Sequence, residues 1–202
     1  MAVSLVLCDR SQDMVRAWRS AFPEESGVRI LNQNILATPA DALAIPANSF
    51  GYTDGGIDMA ISREIFDWGL QDRLRTTIDT RYHGELLIGQ AVVMPTGSGR
   101  VHHVIVAPTM RVPEDISATV NVYLAMRAIL LAADDYNSTA EPGQSIRTLA
   151  VPGLGAGVGK MPPVRAAQQM WMAYRSVVMG DREWMRSLEK QVVQHRKLRE
   201  KS

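Results

Sequence analysis

A single cysteine, Cys8, stands in 202 residues, so no intramolecular disulfide can form, and no Cys/His spacing has the pattern of a zinc site. A reducing cytoplasm is the expected setting. An excess of either charge is also missing: 22 Lys+Arg face 21 Asp+Glu, a formal net charge of +1. Nothing in that balance calls for nucleic acid or an acidic lipid surface. Long apolar runs are lacking too. VNVYLAMRAILLAA, the longest, is too short to span a bilayer and contains Arg127. The opening MAVSLVLCDR has no basic n-region and reaches Asp9 too soon for a signal peptide. There is no internal repeat and no long linker. A soluble, intracellular chain without membrane contact is expected, and a hydrophobic share of 46% is enough for a sizeable core.

What the chain does have is alternation between two periodicities. VSLVLCD is a short β-branched run that reads as a buried strand, and SQDMVRAWRSAF follows with a Ser11 cap and apolar Met14, Val15, Trp18 and Phe22 at helical spacing, closed by Pro23. VRILNQNIL and DALAIPAN read as two more strands. From Ile57, apolar residues recur at Ile61, Ile65 and Trp68 on one helical face, and a mixed segment to Glu85 is also expected to be helical. GQAVVMPTG and HHVIVAPT make a pair of strands joined by the turn GSGR. DISATVNVYLAMRAILLAADDY is the clearest helix, SIRTLAVPG returns to strand, and Pro162 and Pro163 open the helix VRAAQQMWMAYRSVVM. Residues 181–202 read as a basic helical extension to a single domain over 1–180. Their charge run is expected to be a solvated face, with nucleic-acid or partner docking the lesser alternative. Strands alternating with helices imply an α/β fold with a largely parallel or mixed sheet covered on both faces.

Such sheets bind ligands where loops leave the carboxyl ends of strands, and two glycine-bearing loops lie there. The later one runs from Gly153 to Lys160, GLGAGVGK. It is not a phosphate-binding loop of the NTPase type, which needs glycine where Leu154 stands and Ser or Thr where Met161 stands. The dinucleotide fingerprint fails as well, because its third glycine would fall on Val158 or Lys160. What remains is a run of small residues whose amides can form an anion-binding concavity beside a helix N-terminus. Taken alone, such a run is more often a tight connection. The earlier loop, IPANSFGYTDGGIDMAI, places Gly55 and Gly56 at another helix start, with the Asn48 amide suited to ribose hydroxyls and the Asp58 carboxylate in the first turn. Asp54 reads as a turn residue. One of His102 and His103 should be buried in a strand and the other exposed, Cys8 should be a small core residue, and Arg111 should be solvated surface.

ANSFGYTDGGIDMAI resembles the macrodomain signature, in which an N-A-A-N strand end runs into a glycine-rich loop and V-D-x-A-I. VPGLGAGVGKMP resembles that family's second loop, and GQAVVMPTG and HHVIVAPT fall where the family has G-x-A-x-x-T and an H-x-V-G-P-like strand. The resemblance covers roughly Val28 to Val178. It implies a three-layer α/β/α fold with a mixed central sheet flanked by helices, and a cleft for ADP-ribose or an ADP-ribosylated substrate. Members of the family either read ADP-ribose or hydrolyse ADP-ribosyl bonds. By correspondence Asn48 holds the distal ribose and Asp58 orients or activates water near its anomeric carbon. Gly55, Gly56 and Ile57 line that ribose and the nearer phosphate, while Gly155, Ala156, Gly157, Val158 and Gly159 cover the diphosphate; Ala47 and Gly153 are carried over as ligand-binding residues beside them, and Lys160 either contacts a phosphate or faces water. Asn34 and Ile35 fall on the adenine side. Neither a metal nor a cofactor is implied. The sequence departs from the family at three points. Gln33 and Asn34 stand where Gly-Asp is usual, Gly159 stands where an aromatic covers the distal ribose, with Phe50 or Tyr52 as substitutes, and Lys160 stands where glycine is common.

Overall fold

In the computed structural model, which describes residues 3–53, 56–66 and 68–200, one six-stranded sheet forms the middle layer. The strands are β1 (Ser4–Asp9), β2 (Arg29–Asn32), β3 (Ala42–Asn48), β4 (Val92–Pro95), β5 (His103–Met110) and β6 (Thr148–Val151), in the order β2-β1-β6-β3-β5-β4. All neighbours are parallel except β4, which pairs antiparallel with β5 at one edge. The helices are α1 (Gln12–Ala21), α2 (Gly56–Ile65), α3 (Leu70–Tyr82), α4 (Asn121–Thr139), α5 (Pro163–Val177) and α6 (Leu188–Arg199). Among the described residues, no helix is long and apolar enough to cross a membrane.

The strands look continuously apolar in sequence, yet each still obeys the period of two. Leu5 and Leu7 of β1 enter a core with α1, α4 and α5, while Val6 and Cys8 enter a second core with α2 and α3. Ala42 and Ala44 of β3 face the first core and Leu43, Ile45 and Ala47 the second. Burying a Leu or Ile side chain contributes about 1.5–3 kcal/mol, so both helical layers are held by the same sheet. The result is the three-layer α/β/α arrangement.

Helix boundaries follow local chemistry. Ser11 accepts from the Met14 amide and starts α1, and Pro163 occupies the first turn of α5 with Pro162 as its cap. Two expected elements are shorter than read from sequence. The ladder of β2 stops at Asn32, because the Asn34 side chain accepts from the Leu36 amide at 3.2 Å and turns the chain into a 3-10 turn over Ile35–Ala37. Helix α4 begins at Asn121 rather than near Asp115, with the Thr119 hydroxyl accepting from the Asn121 amide and the preceding residues folded as turns. The extension is bound to the body by Gln169, which is fully buried. Its amide donates to Thr119 O and Leu198 O at 2.8 Å each and accepts from Tyr123 N at 3.0 Å, tying α5 to the start of α4 and to α6.

Candidate functional site

β3 and β6 pair only at Ala42 and Leu43 and then part, which leaves room for Pro46 in an internal strand. A cleft of about 600 Å³ opens in that gap, at the carboxyl ends of the strands. On the other side of β3, the register against β5 slips after Ala47: Ala47 pairs with Pro108 and Asn48 with Met110, so Thr109 is the extra residue of a bulge. Asn48, Thr109 and Met110 all line the cleft.

Asn48 also folds the loop that follows it. Its Oδ1 accepts from Phe50 N at 3.0 Å and Tyr52 N at 3.3 Å, and its Nδ2 donates to Tyr52 O at 2.8 Å. One amide proton of the carboxamide is left over for a ligand. Tyr52 lines the cleft, 44% exposed, with the Arg75 guanidinium 4.7 Å from its ring centroid. Phe50 instead packs under Arg111, which pairs with Glu85 at 2.8 Å. Ile57, in the first turn of α2, completes this wall. Gly56 opens α2 and Asp58 follows in its first turn, but the Asp58 side chain, Asp54 and Gly55 lie outside the described residues.

The opposite wall is the loop after β6. Gly153, Gly155, Ala156, Gly157, Val158 and Gly159 line it. Gly153, Gly155 and Gly159 are there for close approach. Gly155 has φ +68, and a Cβ on it would sit 2.8 Å from Ile116 Cδ1; a Cβ on Gly159 would sit 2.7 Å from the Gly155 carbonyl oxygen. The loop's bonds are few: Lys160 N and Met161 N donate to the carbonyls of Gly157 and Gly155 at 3.0 Å each, and Gly159 O accepts from Ile116 N at 2.9 Å. The amides from Gly155 to Gly159 donate to no acceptor among the described residues. Unpaired backbone donors concentrated in one turn favour an anion. Lys160 does not line the cleft. It is exposed, with φ 50, and adds to the Ser117 hydroxyl and amide in holding the Asp115 carboxyl below the usual range.

Asn34 and Ile35 line a neighbouring pocket of about 320 Å³, which meets the cleft at Asp9 and Ile57. Burial pushes the Cys8 thiol up there, against the lowering by Thr38, so it is a small core group rather than a thiolate. Among the described residues no group of three or more His, Cys, Asp or Glu side chains could hold a metal ion. Sequence reasoning passed over Asp9, Ser11 and Met14 at the β1 end, and Thr109 and Met110 in the last two positions of β5. The only signal for them was that every parallel strand ends on this side, which requires the strand order to be known.

The family model described as Macro domain matches residues 45–170. An uncharacterized protein of Aquifex aeolicus is 31% identical over 143 residues, 71% of this chain and 78% of that protein. Among solved structures, the macrodomain of Mycobacterium tuberculosis DarG aligns with a TM-score of 0.58 at 21% identity over 71% of this chain and 87% of its own. Thermosipho africanus DarTG in complex with ADP-ribose aligns with a TM-score of 0.58 at 16% identity over 73% of this chain and 38% of its own.

Proposed function

Because this chain belongs to the macrodomain family, we propose that it binds ADP-ribose in the cleft and hydrolyses the bond joining the distal ribose to its leaving group. The observation that carries this reading is that residues 155–159, whose amides have no acceptor among the described residues, line one cleft with Asn48 and Ile57. A diphosphate is the guest that such a row suits, and a variant of the Oceanobacillus iheyensis macrodomain, which has a similar fold, is described with ADP-ribose. The Asn48 carboxamide holds the distal ribose with its remaining proton, and the small pocket at Asn34 and Ile35 takes the base. Asp58 orients water toward the anomeric carbon, and its carboxylate offsets the positive charge that develops there as the bond breaks. A positioned group of this kind contributes about 10²–10⁴-fold, with alignment in the cleft supplying more. The leaving group is the modified group of an ADP-ribosylated protein or nucleic acid, or acetate where O-acetyl-ADP-ribose carries its ester on the anomeric oxygen.

A non-catalytic reader is the second reading, favoured by Asn48, whose carboxamide is largely spent on its own loop. Calorimetry with ADP-ribose, run beside release from an ADP-ribosylated protein, separates the two. Asp58→Ala is expected to keep its affinity within a few-fold and to lose about 10²-fold or more in release. Release absent from the wild type, with binding intact, would make the chain a reader.

A further inference from the structure

Asp9 is the only charged side chain lining the cleft among the described residues, and it also lines the smaller pocket at Asn34 and Ile35. It therefore stands at the junction of the two. A nucleoside diphosphate has its parts in a fixed order, base, ribose, phosphate. With the base in the small pocket and the phosphates on the amides of 155–159, the ribose between them lies at that junction.

The carboxylate is held in place from both sides. Oδ1 accepts from Ser11 N at 2.8 Å, and Oδ2 accepts from Gly153 N at 3.0 Å. Asn32 braces the same turn, its Nδ2 donating to Asp9 O at 2.9 Å and Arg10 O at 3.1 Å. A Cβ on Gly153 would lie 2.9 Å from Asp9 Oδ2, so glycine there is what lets the loop approach the acid. Each oxygen of an ionised carboxylate has two acceptor sites, and one backbone donor apiece leaves one free on each. A fixed acceptor of that kind suits a hydroxyl pair and opposes an anion.

We infer that Asp9 is the acceptor for the hydroxyls of the proximal ribose, and that it selects an unmodified ribose over one phosphorylated at the 2′ position. The inference rests on the assignment of the cleft to ADP-ribose. Discrimination comes from both partners: a hydroxyl gains a charge-assisted bond, while a 2′-phosphate sets a second anion against a carboxylate that two amides prevent from turning away. Arg10 and Arg63, both exposed in the small pocket, are the cations that work against this rejection, and Arg63 is already paired with Glu64 at 3.2 Å.

The test is calorimetry of ADP-ribose and its 2′-phosphorylated form with the wild type and Asp9→Asn. The wild type is expected to prefer plain ADP-ribose by about tenfold or more, since a like-charge contact across an interface is strongly unfavourable. Asp9→Asn is expected to narrow that ratio several-fold. If Asp9 only tethers Gly153, the variant weakens both ligands in proportion and leaves the ratio unchanged, which overturns the inference. A wild type that takes both ligands equally overturns it without any variant. A wild type that binds neither removes the assignment of the cleft itself, a result distinct from the other two.

Discussion

At Gly159 an added methyl would meet the Gly155 carbonyl oxygen and Ile116 Cγ1 at 2.7 Å each, whereas at Gly157, two residues earlier, nothing lies within 4 Å. Overpacking against backbone costs about 1–3 kcal/mol, so Gly159→Ala is expected to lower the melting temperature clearly. Gly157→Ala should stay within about 0.5 kcal/mol of wild type. Equal shifts in thermal denaturation would contradict the packing of this loop on Ile116. His103 gives a second residue-scale expectation. It is buried, its Nε2 is 2.8 Å from the Tyr136 hydroxyl, and its Nδ1 has no partner among the described residues. Burial first, and His102 second, lower its pKa from the ordinary 6.5, with Asp41 opposing. The folded chain thus takes up the proton at lower pH than the unfolded chain. His103 contributes stability that is complete above about pH 6.5 and is lost as pH falls from there toward the folded pKa. The melting temperature of His103→Gln is expected to fall less between pH 7 and pH 5 than that of wild type; parallel curves would exclude the histidine as a cause. The small residues of the later loop and the burial of one of the two histidines could be read from sequence, since both follow from local pattern. That Asn48 would spend its carboxamide on Phe50 and Tyr52 could not, because it depends on how the loop closes.

Secondary-structure elements were legible where the apolar period was sustained, as in α1, α4 and the β5 strand, and less so where one polar side chain redirected the backbone. Asn34 ends β2 early by capping its own turn, and Thr119 delays the start of α4. Neither residue disturbs the apolar pattern around it, so periodicity could not reveal them. The extension carries an expectation of its own. Helix α6 buries Leu198 and gives its carbonyl to Gln169, which also bonds Thr119 O and Tyr123 N. Gln169→Leu strands those groups in the interior, at about 1–3 kcal/mol for each one left unsatisfied. Removing residues 181–202 takes away one of the three partners. The two changes share a contact, so their costs should be less than additive in chemical denaturation. Strict additivity would mean that α6 does not depend on Gln169.

For the whole molecule, the order β2-β1-β6-β3-β5-β4 explains why segments about a hundred residues apart meet. β6 inserts beside β3, so the loop after Val151 comes to face the loop after Asn48, and the parting of those two strands makes the cleft between them. The convergence could be anticipated because loops of parallel strands share one end of the sheet. The part played by β1 could not: its place beside β6, which brings Asp9 to Gly153, is set by pairing across the whole chain. The claim on which the rest depends is that main-chain donors from Gly155 to Gly159 receive a diphosphate. Titrating ¹⁵N-labelled protein with ADP-ribose reads those amides one by one. Their resonances are expected to move most and to saturate together with that of the Asn48 side chain. Saturable shifts confined to another face, with the 155–159 amides unmoved, would contradict it.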